Sequence, residues 1–375
     1  RVYQVTPISA IPPDQYFGML TAHPLVGIFG STYSIVFGAF LFLVPFLMSK
    51  PLWSIKLANW TCGLIAVGTF IFWFAGFLTH YAPLYTLYWP LPADFTQFSV
   101  WGGTFFILGI ALIIVGTVFF VINIFKTIAY TPEGWEKQDG KGLIASALGL
   151  SGLKNLFRKN KKEHMVSLPV AAIARGTVDT ALNAGIILFT GVLILVYMIA
   201  EIAGSSLKHS SIDALLYKSW FWWGLDLIAD GLVLIFVAGT WYLLATLITG
   251  KKLFMENWAR AALFVEMVVS WTVWSHHLMS DQAQPGILKI LSGEMVTAFE
   301  LITQGLAFFI TLITLWSARP LKMTNPLKFL LGGLLGFALA VPAGIMQADL
   351  GLNRILHNTQ WIVGPHVHVA ILVGL

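Results

Sequence analysis

Close pairs of ligand-type side chains occur at three places in the chain: His276 and His277, Asp226 and Asp230, and His366 and His368. A helix turns about 100° per residue, so the third pair points to opposite faces and suits two cofactors better than one ion. The two aspartates share a face at i, i+4, and adjacent histidines near a helix end can reach one ion. Two imidazoles and one carboxylate suit Fe, Cu or Zn, with Fe favoured where coordination positions stay open.

The composition is that of a membrane protein. Of the 375 residues, 57% are hydrophobic and 10% are charged, against roughly 25% charged in soluble domains. The single cysteine, Cys62, excludes a disulfide framework, a cysteine zinc site and a CxxCH heme attachment within these residues. The net charge of +5 does not indicate nucleic acid as a partner, because the Lys and Arg residues lie between apolar segments.

The apolar segments are long enough for helices to cross the hydrocarbon core, which takes about 20 residues. They are too long and too uniform for barrel strands, which alternate over about 10 residues. The sequence therefore predicts an all-α membrane protein, a single polytopic bundle over residues 1–375. Nine spans are predicted, at 18–47, 57–80, 98–126, 169–202, 219–248, 257–280, 290–317, 327–347 and 359–375.

Orientation follows from the Lys and Arg residues between the spans. Of these 22 residues, 17 fall in one set of loops, which the positive-inside rule places in the cytoplasm. The first span then runs inward. This orientation brings His23 and the three pairs to one depth near the outer face, with His366 and His368 near the start of the last span. Polar residues within the membrane are costly and usually face the bundle interior, so we expect these side chains to form one site.

Three motifs resemble the catalytic subunit of the heme–copper oxidase superfamily. LTAHPLVG around His23 is similar to the family's low-spin heme segment, and LHNTQWIVGPHVHV is similar to its tenth helix. The resemblance implies that His23 and His368 ligate a low-spin heme and that His366 ligates a high-spin heme, both of b type. It also implies that His357 and Asn358 lie near heme propionates.

SHHLMSD resembles the paired-histidine segment that binds the family's non-heme metal. The resemblance implies that Asp226, His276 and His277 bind non-heme Fe or Cu. Oxygen reductases of this family carry FWW-x-x-H-P-x-x-Y, whereas this chain has FWWGLDLIADG, with Asp226 for the histidine and Asp230 for the tyrosine. The motif H-L-x-V-E-G of the nitric oxide reductases is closer to DLIADG, and TAFE places Glu300 where those reductases have a glutamate.

The substitutions favour reduction of NO over reduction of O₂. Reduction of O₂ to water needs four electrons, one of which a redox-active tyrosine commonly supplies in the family. Reduction of two NO molecules to N₂O needs two electrons and two protons, and we expect Asp230 and Glu300 to donate the protons. The alternative is a B-type terminal oxygen reductase with an altered metal site, since LYTLYWPL and the loop lengths resemble that type. A heme-bearing subunit without turnover and a transporter are further alternatives.

The resemblance also implies the setting of the protein. We expect a prokaryotic cytoplasmic membrane, with membrane lipids around the spans and the heme layer toward the outer face. A smaller subunit would bring electrons from a cytochrome, a cupredoxin or a quinol. The family has one helix before His23 and two or more after the tenth helix, so the chain is expected to be a piece of a longer one.

Overall fold

The structure is a computed structural model. It describes residues 11–150, 166–205, 207, 211–357, 359 and 363–372. Every regular element within these ranges is a helix, as the long apolar segments predict.

The helices are α1 (Pro13–Leu47), α2 (Ile55–Leu78), α3 (Val100–Ala129), α4 (Gly140–Ala147), α5 (Leu168–Ile202), α6 (Ala214–Thr249), α7 (Glu256–Ser270), α8 (Gly286–Trp316), α9 (Asn325–Ala348), α10 (Leu350–Leu356) and α11 (Val363–His368 followed by Val369–Leu372). Among the described residues, seven helices are long and apolar enough to cross a membrane: α1, α2, α3, α5, α6, α8 and α9. The chain is therefore a multi-pass helical membrane protein. Seven of the nine predicted spans are confirmed within a few residues of their predicted bounds.

The predicted span 257–280 is wrong at its carboxyl end. Helix α7 ends at Ser270, and the chain continues through turns to a 3-10 turn at His276–Leu278. The hydroxyl of Ser270 donates to the carbonyl of Met267, and the hydroxyl of Thr272 donates to that of Val269. Such bonds from side chains to the preceding turn compete with continuation of a helix. The ninth predicted span, 359–375, is described only at residue 359 and over 363–372.

The chain divides into two compact units. The first consists of residues 1–42, 52–123 and 181–224, and the second of residues 43–51, 124–180 and 225–375. Within the first unit, the rings of Phe37 and Phe120 stack with centroids 3.8 Å apart. The buried hydroxyl of Tyr33 donates to Asn183 Oδ1 at 2.8 Å, and the Asn183 amide donates to the Gly224 carbonyl. Interhelical polar contacts of this kind are one way in which membrane helices associate.

In the second unit, a buried lysine caps the carboxyl end of helix α3. Lys50 Nζ donates to the carbonyls of Ile128 at 2.8 Å and of Tyr130 at 2.9 Å. These carbonyls lie at the carboxyl end of α3, where helices leave acceptors without intrahelical donors. Burial lowers the pKa of Lys50 because the ammonium loses solvation. The residue therefore links the loop after α1 to the end of α3.

Helices α1 and α2 approach closely at a pair of glycines in the first unit. A Cβ added to Gly18 would overlap the carbonyl of Gly76. We expect Gly18→Ala to lower the stability of the protein by about 1–3 kcal/mol, because the helices must separate to admit the methyl group. The matched control is Gly38→Ala on the same helix, where an added Cβ meets nothing within 4 Å. A melting temperature in detergent that falls equally for both variants would contradict this reading.

Candidate metal and heme site

Asp226 and His277 form the closest pair of predicted ligands. Asp226 lies in the interior of α6 with 0% of its surface exposed. The Nε2 atom of His277 comes within 2.9 Å of Asp226 Oδ1, but this contact lacks hydrogen-bond geometry, and among the described residues neither carboxylate oxygen of Asp226 has a hydrogen-bond partner. Two ligands that share an ion at about 2.0–2.2 Å and meet it at a right angle are about 3 Å apart. The pair is therefore spaced for a shared ion.

A second group brings the predicted proton donors to the paired histidines. Ligand atoms of Asp230, His276 and Glu300 all lie within 4.8 Å of one another. Asp230 Oδ2, His276 Nδ1 and Glu300 Oε1 are buried and have no hydrogen-bond partner among the described residues. Buried polar atoms are normally satisfied, so three neighbouring residues that each have an unsatisfied atom fit the ligand set of a cation. Asp230 and Glu300 were expected at this site as proton donors, and the structure brings both of them close to His276.

The two groups are neighbours in the second unit. The ring centroids of His276 and His277 are 5.4 Å apart, and Asp230 interacts electrostatically with both Asp226 and His277. Three carboxylates and two imidazoles thus lie in two adjoining groups. This hard set of N and O atoms favours iron over Cu(I).

A further buried acid lies close to Glu300. The hydroxyl of Thr303, one turn along α8, donates to Glu266 Oε2 and to the Glu300 carbonyl, the latter at 3.1 Å. Glu266 on α7 is 1% exposed, and its Oε1 lacks a hydrogen-bond partner among the described residues. The Thr303 hydroxyl thus holds the Glu266 carboxyl group against the backbone of Glu300.

His366 has the orientation of a heme ligand. Its Nδ1 lies 3.1 Å from the carbonyl of Ala340 on α9, with donor geometry for an N–H. Ligating histidines usually donate their second ring N–H to such a carbonyl, which fixes the ring and directs Nε2 to the metal. Gly344 makes this approach possible, because a Cβ there would lie 2.7 Å from His366 Cε1. The residues present therefore fit an axially bound heme.

The remaining predicted ligands are placed less specifically. His368 lies two residues after His366 in α11 and is exposed, as is His23 on α1. The ring of His357 is centred 6.0 Å from that of His277, which brings it to the same cluster. Asn358 lies outside the described residues.

Wide π-helical turns interrupt four of the helices. They are Val26–Thr32, Leu227–Val233, Ile290–Glu294 and Val363–His368. The first begins three residues after His23, the second contains Asp230, and the fourth contains both histidines of α11. Single π-turns are uncommon and often occur at functional sites. Periodicity did not predict these turns, since one wide turn changes the position of the following side chains without changing the apolar character of the helix.

The family is established by comparison with known proteins. The chain belongs to the family described as cytochrome c and quinol oxidase polypeptide I, which it matches over residues 1–375. It is similar to ubiquinol oxidase subunit 1 of Acetobacter aceti, with 24% identity over 97% of the chain and 50% of the relative. It is also similar to cytochrome c oxidase subunit 1 of Thermus thermophilus, with 27% identity over 44% of the chain and 32% of the relative. The chain thus spans at most half the length of these curated relatives.

Proposed function

We propose that the chain is the catalytic part of a respiratory oxidoreductase that reduces NO to N₂O. The observation that carries the proposal is the convergence of Asp230, Glu300 and His276 beside the contact between Asp226 and His277. Three acids at one site suit a reaction that consumes two protons, and no tyrosine stands at the position of Asp230. Family membership supports the redox class, and the acids support the choice of substrate.

The proposal assigns a role to each site residue. Asp226, His276 and His277 hold the non-heme metal, with Asp230 and Glu300 within reach of the same ion. His366 holds a high-spin heme through Nε2, while His23 and His368 hold a low-spin heme and His357 and Asn358 lie near propionates. The hemes and the metal, once held by these residues, would supply the binding site for two NO molecules and the two electrons that reduce them. The chain's own residues orient the ligands, exclude water from the carboxylates and deliver protons.

Proton delivery is assigned to the acids on α6 and α8. Glu300 and Asp230 lie at the site beside His276, and the Thr303 hydroxyl holds the Glu266 carboxyl group against the backbone of Glu300. A positioned acid accelerates proton transfer by about 10²–10⁴-fold. In the complete reaction, two NO, two electrons and two protons give one N₂O and one water.

Replacement of Glu300 by glutamine tests this assignment. We expect Glu300→Gln to lower NO turnover by about 100-fold, because the amide preserves the shape of the side chain but cannot donate the proton. Both heme spectra should be unchanged. The matched control is Glu133→Gln at an exposed loop position. Equal NO turnover in the two variants would remove Glu300 from the proton path.

The experiment for the function as a whole counts electrons and products. The purified complex is supplied with NO and an artificial electron donor without O₂. We expect one N₂O for every two NO and two electrons consumed, at about 10 s⁻¹ or faster, a typical enzyme turnover. Consumption of NO without N₂O would contradict the proposal, because it would indicate binding or another reaction.

The second candidate function is a B-type terminal oxygen reductase with an altered metal site. The descriptions of the relatives as cytochrome c and ubiquinol oxidases favour it. We further propose a prokaryotic cytoplasmic membrane as the location, with the heme layer toward the outer face. A smaller partner subunit would bring electrons from a cytochrome, a cupredoxin or a quinol.

A further inference from the structure

The segment that carries the paired histidines needs support from outside its own backbone. Helix α7 ends at Ser270, and residues 271–275 lead through turns to His276 and His277. A ligand held about 1 Å away from its productive position loses much of its function, so side chains that fix such a segment matter. One support comes from the first turns of α8. Ser275 N donates to Ser292 Oγ at 3.0 Å, and Ser275 Oγ donates to the Leu288 carbonyl at 3.0 Å.

A second support comes from α5. Asp179 is 0% exposed, and its Oδ1 accepts the indole N–H of Trp271 at 2.8 Å. Trp271 is the first residue after α7 and lies five residues before His276. The bond therefore holds the start of the histidine segment against the middle of a membrane-spanning helix.

The same carboxyl group packs against the turn that carries Asp230. A Cβ added to Gly231 would lie 2.7 Å from Asp179 Oδ2 and 2.9 Å from its Cγ, so the carboxyl group rests on the backbone next to Asp230. Oδ2 is buried without a hydrogen-bond partner among the described residues. An acidic residue inside a membrane helix is costly and usually has a function. Asp179 contacts segments that carry two of the site's side chains, and the proposed function gives it no role.

We propose that Asp179 is a positioning residue of the metal site, which holds the histidine segment through Trp271 and the Asp230 turn through Gly231. The proposal rests on the metal site of the proposed function but not on its substrate. The contact with Gly231 fixes one side of the carboxyl group, and the bond to Trp271 fixes the other. Loss of either contact lets His276 and Asp230 move apart.

The test measures retention of the non-heme metal in the purified complex. Metal per heme is determined by elemental analysis after incubation with a series of chelator concentrations, for the wild type, Asp179→Ala, Asp179→Asn, Trp271→Phe and the double variant Asp179→Ala/Trp271→Phe. Thr180→Val is the matched control, because Thr180 is buried on the same helix and its hydroxyl donates only to the Gly176 carbonyl. The low-spin heme spectrum reports that each variant is folded.

We expect Asp179→Ala and Trp271→Phe each to weaken metal retention by about 10–100-fold, the usual cost of losing a residue that supports a ligand. The double variant should retain the metal as well as the worse of the two single variants, since both substitutions remove the same hydrogen bond. Asp179→Asn should stay within a few-fold of the wild type, because its amide oxygen accepts the same N–H. Two results overturn the proposal: unchanged retention in Trp271→Phe, or equal losses in Asp179→Asn and Asp179→Ala. A wild type that holds metal but makes no N₂O would refute the proposed function and leave this proposal standing.

Discussion

Asp226→Ala is expected to remove the non-heme metal and to abolish NO turnover while both hemes remain. The carboxylate is fully buried, both of its oxygens lack hydrogen-bond partners among the described residues, and it lies 2.9 Å from His277 Nε2. Supporting residues alone cost 10–100-fold in metal affinity when removed, so a ligand should cost more than about 100-fold. Elemental analysis of metal per heme and the rate of N₂O formation measure the two losses.

The control for Asp226→Ala is an aspartate just before the same helix. Asp213 precedes α6 and accepts the backbone N–H groups of Leu215 and Leu216 at 2.8 and 2.9 Å. Asp213→Ala should cost about 1 kcal/mol of stability through the lost helix cap and leave the metal in place. Asp226→Asn separates charge from shape, since an amide oxygen is a weaker ligand of iron than a carboxylate. Full metal content in both Asp226 variants would show that Asp226 is a structural residue.

His366→Ala is expected to remove the high-spin heme and to leave the low-spin heme. The contact of His366 Nδ1 with the Ala340 carbonyl fixes the ring against α9, and alanine offers no ligand atom for the heme. Carbon monoxide binds ferrous heme only where an axial position is open, so the CO difference spectrum of the reduced protein measures the loss. Gly344→Ala should give a smaller effect in the same direction, because its Cβ displaces the ring without removing it.

The comparison variant for His366→Ala is His80→Ala. His80 follows α2 and contacts Asp14 on α1, and both belong to the first unit, whereas His366 belongs to the second. Its loss should leave the CO difference spectrum unchanged. A normal CO spectrum in His366→Ala would assign the high-spin heme to another ligand.

The membrane-spanning helices follow directly from the sequence. Long apolar segments between basic loops predicted α1, α2, α3, α5, α6, α8 and α9 within a few residues, because backbone hydrogen bonds in a membrane must be satisfied within each span. The position of a helix end depends instead on side-chain hydrogen bonds that compete with the backbone hydrogen bonds of the next turn. The hydroxyls of Ser270 and Thr272 bond to the preceding turn, and this detail ended α7 before the histidines.

The site was predicted in its membership better than in its geometry. The types and depth of His276, His277 and Asp226 predicted a metal site, which stays a prediction, and the structure brings His277 to Asp226. Asp230 and Glu300 were predicted at the same site, and the structure brings both of them close to His276. The distances between these side chains were beyond prediction, because a π-turn such as the one that contains Asp230 changes the direction of side chains. The role of Asp179 was also beyond prediction, since its partner Trp271 is 92 residues away.

The most direct test of the central claim compares NO and O₂ as substrates of one preparation. Steady-state rates are measured with the same artificial donor, first with NO and then with O₂, and N₂O is determined in the first assay. The three carboxylates and the absent tyrosine predict faster turnover with NO, with all of its nitrogen recovered as one N₂O per two NO. Fast cyanide-sensitive O₂ uptake without N₂O formation would contradict the claim and identify the protein as an oxygen reductase.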